Sequence, residues 1–354
     1  MAVDIGSNSI KVVQLKGSPK RYELTHFHFL PLDPEAVMDG VIRDEDAVAD
    51  ALSKCIKGIK TKTPFAVASV SGEAVIIKKI QVPMMDYKEL EESIKQEAEQ
   101  YIPFDIDDVR IGFHQLGASA REEDALEDEE EKQEILLVAV QNEIIESRED
   151  VLVKAGLRPA IIDLDAFAMV NAMSISTNLE EQGAVALIDL GASFSHLNII
   201  IDGITTFTRD IPIGGNLSTQ NLMSKFEVDY DVAEGFKMGI IPPDMEKREI
   251  IEIIVESFDG IIEEVRKSFE FISTTSNAQV DHVFLTGGGA LLQGVDGLMA
   301  DRLGVTAEVF DPLRGITISK DLKDHETIKK YSPLAMVALG LATRRFEKYF
   351  KEKN

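Results

Sequence analysis

The fold is decided by the segment Val3-Asp4-Ile5-Gly6-Ser7-Asn8-Ser9-Ile10-Lys11. Its apolar runs at 2–5 and 10–15 are split by a Gly-Ser-Asn-Ser turn, and this pattern predicts a β-hairpin. Glycine lets the backbone approach a ligand closely, and successive N–H groups in such a turn form a nest that binds anions. Ser7, Asn8 and Ser9 can add donors, and Lys11 can place a positive charge near a phosphate. The segment therefore predicts a phosphate-binding loop.

An aspartate ends the first of these strands, and it cannot bind phosphate directly because like charges repel. Asp4 is instead suited to hold Mg²⁺ through water, since Mg²⁺ keeps several of its waters in proteins. The pattern recurs in Ile188-Asp189-Leu190-Gly191-Ala192-Ser193, between apolar runs at 184–188 and 197–201. One such hairpin is a weak signal, because tight hairpins favour Asp and Gly anyway. Two copies predict two related domains that clamp one magnesium–nucleotide complex between Asp4 and Asp189.

A glycine triplet, Gly287-Gly288-Gly289, follows a third predicted strand at 281–286. A flexible turn between a strand and a helix lets a flat base or a ribose approach the backbone. The sequence has no Gly-x-x-x-x-Gly-Lys-Ser/Thr motif, which excludes a P-loop protein. It also lacks Gly-x-Gly-x-x-Gly, which argues against a dinucleotide-binding fold.

The composition narrows the choice of partners. The 354 residues include 62 acidic against 37 basic residues, a formal net charge of −25. This charge argues against nucleic acid as a partner and against unaided docking on anionic lipid. There is no run of about 18 apolar residues and no signal-peptide pattern, and the single cysteine, Cys55, cannot form an internal disulfide. We therefore expect a cytoplasmic protein that reaches a membrane, if it does so, only through a partner.

Other site chemistry has little support in the sequence. The histidines, His196 among them, show no metal-binding spacing beyond His26-x-His28, which alternates on one strand face. There is no Gly-x-Ser-x-Gly nucleophile elbow. Cys55 falls in an amphipathic helix and is most simply a core residue.

Strands and helices alternate along the chain, which predicts an α/β protein of about two domains at roughly 150 residues each. Residues 119–134 are rich in acid and predict a solvated loop between two strands, with a docking role as the alternative. The predicted division is 1–73 for the core of domain I, 74–164 for an inserted α+β subdomain, 165–178 for a connecting helix, 179–331 for domain II with a helical part at about 216–277, and 332–354 for a C-terminal connecting helix returning to domain I.

With these motifs in place, the chain resembles the actin, heat-shock chaperone and sugar kinase superfamily, and more closely the PilM family of actin-like proteins of type IV pilus assembly. It is similar, more distantly, to the cell-division protein FtsA. The resemblance covers nearly the whole chain. Besides the aspartate loops and the glycine triplet, it rests on residues 97–104, 155–159, 163–168, 209–215 and 332–335. It implies an α/β, actin-like ATPase fold with two related domains around a nucleotide cleft and an inserted FtsA-like α+β subdomain.

The resemblance also implies where ATP and Mg²⁺ bind. Beyond the two loops, the implied nucleotide-binding residues are Gly214, Gly215, Glu234, Lys237, Gly287, Gly288 and Gly289. Glu234 and Lys237 stand three residues apart on one helix face, so a surface ion pair is the alternative role. Ala192 departs from related loops, which often carry a hydroxyl or a second small residue there, and Ser193 can serve instead.

Hydrolysis requires a group that orients the attacking water. The resemblance places that group at the start of the first connecting helix, where Asp165 fits, although Asp is also a favoured N-cap residue. We therefore expect at most slow ATP hydrolysis and a scaffold whose shape depends on ATP. Ala338 and Gly340 are small enough for the two connecting helices to cross closely.

The implied partner is the cytoplasmic N-terminal tail of the inner-membrane protein PilN, together with other platform proteins and motor ATPases of the pilus. The candidate groove residues are Ile80, Val82, Pro103 and Phe104, each with core packing as the alternative. Members of the PilM family usually carry a short polar lead before the first strand, and only three residues precede Asp4, so a trimmed N-terminus is expected.

Two other functions stay open on the sequence. The first is a small-molecule kinase of the same fold, which requires a sugar pocket and a catalytic base for which no clear acidic motif is found. The second is an FtsA-like filament-forming protein docked on a membrane by a basic amphipathic C-terminal helix. Residues 344–354 alternate basic and aromatic side chains, and a solvated face at the end of the last helix is the simpler explanation.

Overall fold

The computed structural model describes residues 1–19, 21–57, 59, 64–118 and 131–344. The chain forms two compact units, the larger made of Met1–Gly72 and the chain from Glu149 onward, and the smaller of Glu73–Arg148. The strands are β1 (Ala2–Ile5), β2 (Ser9–Ser18), β3 (Arg21–Pro31), β4 (Val37–Met38), β5 (Val41–Ile42), β6 (Phe65–Val70), β7 (Val75–Pro83), β8 (Val109–Ala118), β9 (Lys132–Gln141), β10 (Arg158–Leu164), β11 (Ala184–Leu190), β12 (Ser195–Ile201), β13 (Ile204–Ile211), β14 (His282–Thr286), β15 (Thr306–Val309) and β16 (Thr317–Ile318). The helices are α1 (Glu45–Ile56), α2 (Tyr87–Ala98), α3 (Asn142–Lys154), α4 (Asp165–Met173), α5 (Gly215–Phe226), α6 (Tyr230–Lys237), α7 (Lys247–Ser257), α8 (Asp259–Thr275), α9 (Val295–Leu303), α10 (His325–Lys330) and α11 (Met336–Leu341).

The larger unit contains two large sheets that share one arrangement of five strands, with β16 added at the edge of the first, and a small β4–β5 sheet. The first sheet runs β10-β6-β1-β2-β3-β16 and the second runs β13-β12-β11-β14-β15. Each sheet is built around a hairpin, which is β1–β2 in the first sheet and β11–β12 in the second. On one side of the hairpin a third strand, β3 or β13, pairs antiparallel. On the other side two strands, β6 and β10 or β14 and β15, pair in parallel. We call the first sheet with its helices the first lobe, and the second sheet with α5–α9 the second lobe. The repetition predicted from the two aspartate loops is therefore present in the fold.

The helices α4 and α11 share one core with both sheets. Ala2 and Val13 of the first sheet, Leu187 of the second, and the buried faces of α4 and α11 belong to the same apolar cluster. Gly340 of α11 lies against α4, and a Cβ added to it would overlap the carbonyl of Ala168. The close crossing expected from this glycine is thus observed.

Local sequence explains how α1 begins. Asp44 accepts a hydrogen bond from the backbone amide of Ala47 at the start of α1. Acidic residues follow in the first turn, where they interact favourably with the helix dipole. The buried side chains of α1 recur at helical spacing, and Cys55 is among them, as predicted. Burial raises the pKa of the Cys55 thiol to about 11, so the thiol stays protonated and unreactive at neutral pH.

The smaller unit is a three-stranded antiparallel sheet in the order β7-β9-β8 with α2 against one face. A capping box of Asp86 and Glu89 starts α2. Alternate residues of β7 and β9 point towards α2, and Ile80, Ile135 and Leu137 are buried there. The unit therefore has a core of its own, as the prediction of an inserted α+β subdomain requires.

Three predicted boundaries need correction. The strand β10 pairs in parallel with β6, so it belongs to the first lobe, and the smaller unit ends at Arg148 rather than at 164. The strand β9 already begins at Lys132, so residues 132–134 of the predicted acidic loop 119–134 belong to a strand, and the prediction for residues 119–130 lies outside the described residues. The last helix is interrupted, with a 3₁₀ turn at Ser332–Ala335 before α11, and its predicted continuation beyond Arg344 also lies outside the described residues.

Candidate nucleotide-binding cleft

The first aspartate loop is a tight hairpin between β1 and β2. Asp4 pairs with Lys11 in its register, and the amide of Gly6 donates to the carbonyl of Ser9 at 3.1 Å. Lys11 Nζ lies 3.3 Å from Asp4 Oδ2. A Cβ added at Gly6 would lie 2.9 Å from Lys11 Nζ, so glycine leaves the room in which the lysine reaches over the turn. The loop therefore places one buried carboxylate and one cation side by side.

The second aspartate loop has the same construction. The amide of Gly191 donates to the carbonyl of Phe194 at 3.0 Å, as Gly6 does to Ser9 in the first loop. The start of α5 is tied to this loop, because the amides of Gly215 and Asn216 donate to the carbonyls of Gly191 and Ala192. A Cβ at Gly214 would overlap the carbonyl of Ala192. The two predicted glycines of α5 thus shape the loop through backbone packing.

Asp189 stands near the end of β11 with a buried carboxylate. Its Oδ1 is buried and has no hydrogen-bond partner among the described residues. Gly287 has φ of +84°, and a Cβ there would overlap that oxygen, so the glycine is what lets the backbone lie against the carboxylate. Burial raises the pKa of Asp189 to about 6, with His196 opposing the rise and Asp4 adding to it.

Asp4 is in a similar electrostatic position. Burial raises its pKa, Lys11 opposes the rise, and the charge of Asp165 adds to it. Two buried acids that are hard to ionise together are short of positive charge. A divalent cation would supply that charge, and Mg²⁺ is usually held by one or two carboxylates, waters and phosphates. Within the described chain no group of three or more His, Cys, Asp or Glu side chains is placed to hold a metal ion.

Asp165 is the first residue of α4 and is half-buried. The N-cap of that helix is Leu164, and no side chain caps it, so the alternative role of Asp165 as an N-cap is wrong. Its charge contributes to raising the pKa of both Asp4 and Asp189. Asp165 therefore lies within electrostatic range of the two predicted metal-binding aspartates.

His196 and Asp210 belong to the cleft, and the sequence analysis missed both. His196 pairs with Asp189 in the β11–β12 register, and its Nδ1 lies 2.7 Å from Asp210 Oδ1. Burial alone would lower the pKa of His196, but Asp210 and the carboxylates of Asp165 and Asp189 raise it to about 9. The imidazole is therefore a cation at neutral pH, placed beside the acids. Metal-ligand spacing could not reveal it, because its partner lies on the next strand.

Glu234 and Lys237 form the i,i+3 ion pair, but it is largely buried rather than exposed on the surface. Lys237 Nζ donates to Glu234 Oε1 at 2.8 Å, to Thr219 Oγ1 at 2.9 Å and to the carbonyl of Gly215 at 3.0 Å. The lysine side chain is only 11% exposed and Thr219 is fully buried. This network fastens α6 to the first turn of α5, and Thr219 is a member that the sequence analysis did not identify.

The remaining predicted nucleotide-binding residues either lie in the first loop or pack around the second loop. Ser9 is buried, Ser7 and Asn8 are half-buried, and Asn8 Nδ2 donates to the hydroxyl of Tyr230. Ser193 Oγ accepts from Asn216 Nδ2 at 3.4 Å. A Cβ at Gly289 would be 2.7 Å from Leu190 Cβ, so this glycine lets the triplet pack against the second loop, whereas a Cβ at Gly288 would make an ordinary contact with Leu334.

The predicted groove residues all lie in the smaller unit. Ile80 and Val82 are 4% and 1% exposed and pack beneath α2, so their side chains serve the core. Phe104 packs against the edge of the same core and is partly exposed, while Pro103 is exposed. Among the described residues no helix is long and apolar enough to span a membrane.

Two lobes of one strand order, each presenting an Asp-Gly loop to a common cleft, define the actin-like ATPase fold. The ethanolamine utilization protein EutJ from Carboxydothermus hydrogenoformans shares this fold, with a TM-score of 0.55 at 15% identity over 97% of this chain and 88% of that chain. MreB5 of Spiroplasma citri, bound to AMPPNP, gives a TM-score of 0.53 at 15% identity over 99% and 96%. The predicted fold class is confirmed.

The chain belongs to the family described as type IV pilus assembly protein PilM, whose sequence profile matches residues 2–346. A solved PilM–PilN type IV pilus biogenesis complex superposes with a TM-score of 0.83 at 27% identity, covering 97% of this chain and 98% of that chain. The family predicted from the loops is thereby confirmed.

Cell-division proteins FtsA are similar over less of the sequence or at lower identity. FtsA of Borreliella burgdorferi is 26% identical over 195 residues, which are 49% of this chain and 46% of that protein, so the match spans about half the length of that relative. FtsA of Streptococcus pneumoniae serotype 2 is 21% identical over 88% of this chain and 75% of its own length. The FtsA-like alternative is therefore weaker than membership of the pilus family.

Proposed function

We propose that the chain binds magnesium–ATP between its two lobes and that the bound nucleotide sets the shape of a scaffold for a PilN tail in pilus assembly. The observation that carries the nucleotide part is Asp189 Oδ1, buried without a partner in the described chain. Burying an acid in this way is costly unless positive charge compensates it. The likeness in fold to MreB5, bound to AMPPNP, supports a nucleotide as the ligand of this cleft.

The residues of the chain divide the work between them. Asp4 and Asp189 hold the metal through its waters, and Lys11 together with the backbone amides of the two loops receives the phosphates. The bound Mg²⁺ neutralises phosphate charge and fixes the orientation of the phosphates. Asp165 accepts a hydrogen bond from a water near the phosphate end. Since ATP serves mainly to hold the lobes, we expect slow turnover or none.

Titration calorimetry tests the nucleotide part. The intact protein should bind ATP in the presence of Mg²⁺ and much more weakly with EDTA. Asp189→Asn keeps the shape of the side chain and removes its charge, so it should reduce the dependence on Mg²⁺, with Asp4 left as the remaining carboxylate. Asp202→Asn is the matched control, because Asp202 is an exposed aspartate of the β12–β13 turn in the same lobe. Equal ATP affinity with and without Mg²⁺ in the wild-type protein would contradict the proposal.

The partner part rests on the solved PilM–PilN complex, to which this chain is similar over nearly all of its length. We propose that Pro103 and Phe104, the accessible pair among the candidate groove residues, contact the PilN tail, with Ile80 and Val82 supporting them from the core. Other platform proteins and motor ATPases would then be reached through the assembled complex. The same route would bring this acidic protein to the inner membrane.

A synthetic PilN N-terminal peptide tests this part by calorimetry. Pro103→Glu and Phe104→Glu should weaken binding, because each places a charge on an apolar contact. Phe271→Glu is the control, since Phe271 is 52% exposed on α8 of the other unit. Circular dichroism of Phe104→Glu separates loss of contact from loss of fold, and Pro103→Glu changes a residue that is already exposed. Unchanged affinity in both variants would refute the assignment of the groove.

A further inference from the structure

Two hydrogen bonds cross the cleft between the lobes. Asn8, in the first aspartate loop, donates from Nδ2 to the hydroxyl of Tyr230 at 3.0 Å, although the two residues are 222 positions apart. The amide of Gly72, after β6 in the first lobe, donates to Asp210 Oδ2 of the second lobe at 2.6 Å. One bond lies at the phosphate loop and the other at the end of the neighbouring strand.

Asn8 is held firmly from its own side of the cleft. Its carbonyl accepts the amide of Leu32 at 2.8 Å, and the adjacent turn is closed by the bond from Gly6 to Ser9. A loop fixed in this way has little backbone freedom left, so the direction of the Asn8 amide depends on the partner of its side chain. In this structure that partner is Tyr230, which comes from the opposite lobe.

Tyr230 is held equally firmly from the second lobe. It is the first residue of α6 and stands one turn before Glu234, on the same helix face. Glu234 is bonded to Thr219 and Lys237, and Lys237 also donates to the carbonyl of Gly215. The hydroxyl is therefore carried by a helix that is fastened to the start of α5, where the second aspartate loop is tied.

The second crossing is reinforced by an apolar contact. A Cβ built on Gly72 would lie 3.7 Å from the ring of Phe194, and one built on Gly40 would lie 4.0 Å from it, so the ring covers both turns. Phe194 is 7% exposed and stacks on His196, the other partner of Asp210. The second aspartate loop thus contacts the first lobe through a buried aromatic ring beside a charged hydrogen bond.

We propose that Tyr230 and Asp210 form a two-point clasp across the cleft and that Tyr230 acts as a positioning residue, aiming the amide of Asn8 at the phosphates of the nucleotide. This inference rests on the proposed function, and it concerns how contact between the lobes controls nucleotide binding. A primary amide carries two hydrogens on nitrogen. One can hold the hydroxyl of Tyr230 while the other is offered to a phosphate oxygen.

The clasp and the bound nucleotide consequently both favour the closed arrangement of the two lobes. Because Asn8 is shared, closing the lobes orders a phosphate donor in advance, and a bound phosphate in turn keeps Asn8 directed towards the second lobe. Such mutual support is a coupling free energy, and it is reciprocal between the two events. Loss of one neutral hydrogen bond of this kind weakens binding by about threefold to tenfold.

A double-mutant cycle tests whether Tyr230 acts through Asn8. Magnesium–ATP affinity is measured by calorimetry for the wild type, Tyr230→Phe, Asn8→Ala and the double variant. Tyr230→Phe removes only an oxygen and should weaken binding by about threefold to tenfold. In the Asn8→Ala background it should cause no further loss. Tyr87→Phe is the matched control, because Tyr87 is 58% exposed in the smaller unit.

Hydrogen exchange in the nucleotide-free protein separates failure of the clasp from failure of the proposed function. Tyr230→Phe should speed exchange in peptides covering residues 4–11, and Asp210→Ala should speed it at Gly72, whether or not ATP binds. If the wild type binds no ATP but both effects on exchange appear, the clasp stands as a lobe contact and the proposed positioning role is overturned. Wild-type exchange rates in both variants, or an equal loss of affinity from Tyr230→Phe with and without Asn8, would also overturn it.

Discussion

Replacing Gly287 by alanine tests the contact between the glycine triplet and the second aspartate loop. Gly287 has φ of +84°, and an added Cβ would overlap Asp189 Oδ1 and come within 2.8 Å of the carbonyl oxygen of Leu190. Its own amide donates to the carbonyl of Pro333 at 3.0 Å, which limits how far the turn can retreat. The substitution therefore has little room to relax.

The size of the effect follows from two contributions. An alanine in the left-handed region costs about 1–2 kcal/mol relative to glycine. Shifting a packed backbone to admit a methyl group costs a further 1–3 kcal/mol or so. Gly287→Ala should therefore lower the free energy of unfolding by about 2–5 kcal/mol. It should also weaken magnesium–ATP binding by at least about tenfold, because Asp189 must move.

Urea denaturation followed by circular dichroism measures the first effect, and calorimetry measures the second. Gly297→Ala is the control, since Gly297 lies inside α9 and no atom comes within 4 Å of its added Cβ. That control should be neutral or more stable by about 0.5–1 kcal/mol, as expected for a glycine in a helix. If both variants unfold at the same urea concentration, the argument from contact at Gly287 is refuted.

Three further predictions concern the cleft and its supports. The pKa of His196 rises from 6.5 to about 9 on folding, so protonated His196 should add about 3 kcal/mol to the free energy of unfolding. This stabilisation should be complete below pH 6.5 and be lost as the pH rises through 9. Urea unfolding at pH 6.5 and 9 should show this loss in the wild type and in the exposed-site control His28→Gln, but not in His196→Gln. Lys237→Met should destabilise the protein and weaken ATP binding, because it removes two hydrogen bonds to the start of α5 and one to Glu234 of α6; equal thermal melting of variant and wild type would contradict this. Cys55 should resist thiol reagents at pH 8 in the native protein and react only after unfolding in urea, so rapid native labelling would argue against its burial.

The sequence was most informative where local chemistry is repeated. Each of the two hairpins has an aspartate at a strand end and a glycine in the turn, so a pattern of a few residues was enough to predict Asp4 and Asp189 as candidate metal-binding residues. The triplet at 287–289 could be placed beside them because its glycines also mark a strand end. These motifs also carried the resemblance that the family comparison confirms.

The sequence was less informative where partners come from distant parts of the chain. His196 is hydrogen-bonded to Asp210 on the next strand, and Tyr230 to Asn8 in the other lobe. No spacing along the chain reveals either pair. The strand β10 was assigned to the inserted subdomain because it follows α3 directly, whereas pairing with β6 puts it in the larger sheet. Parallel pairing joins segments that are far apart in sequence, and short-range patterns do not specify it.

The crossing of α4 and α11 has a mechanical consequence. With Gly340 lying against the backbone of Ala168, the two helices meet without side chains between them that could slide past one another. Packed helices move relative to one another chiefly by small sliding shear, and a backbone contact this close leaves little room for such sliding. Relative motion of the lobes is then expected to be a rotation about the crossing, and a small rotation there gives a larger displacement at the outer rims of the lobes. Probes attached at those rims are the sensitive choice for following the proposed nucleotide-dependent motion.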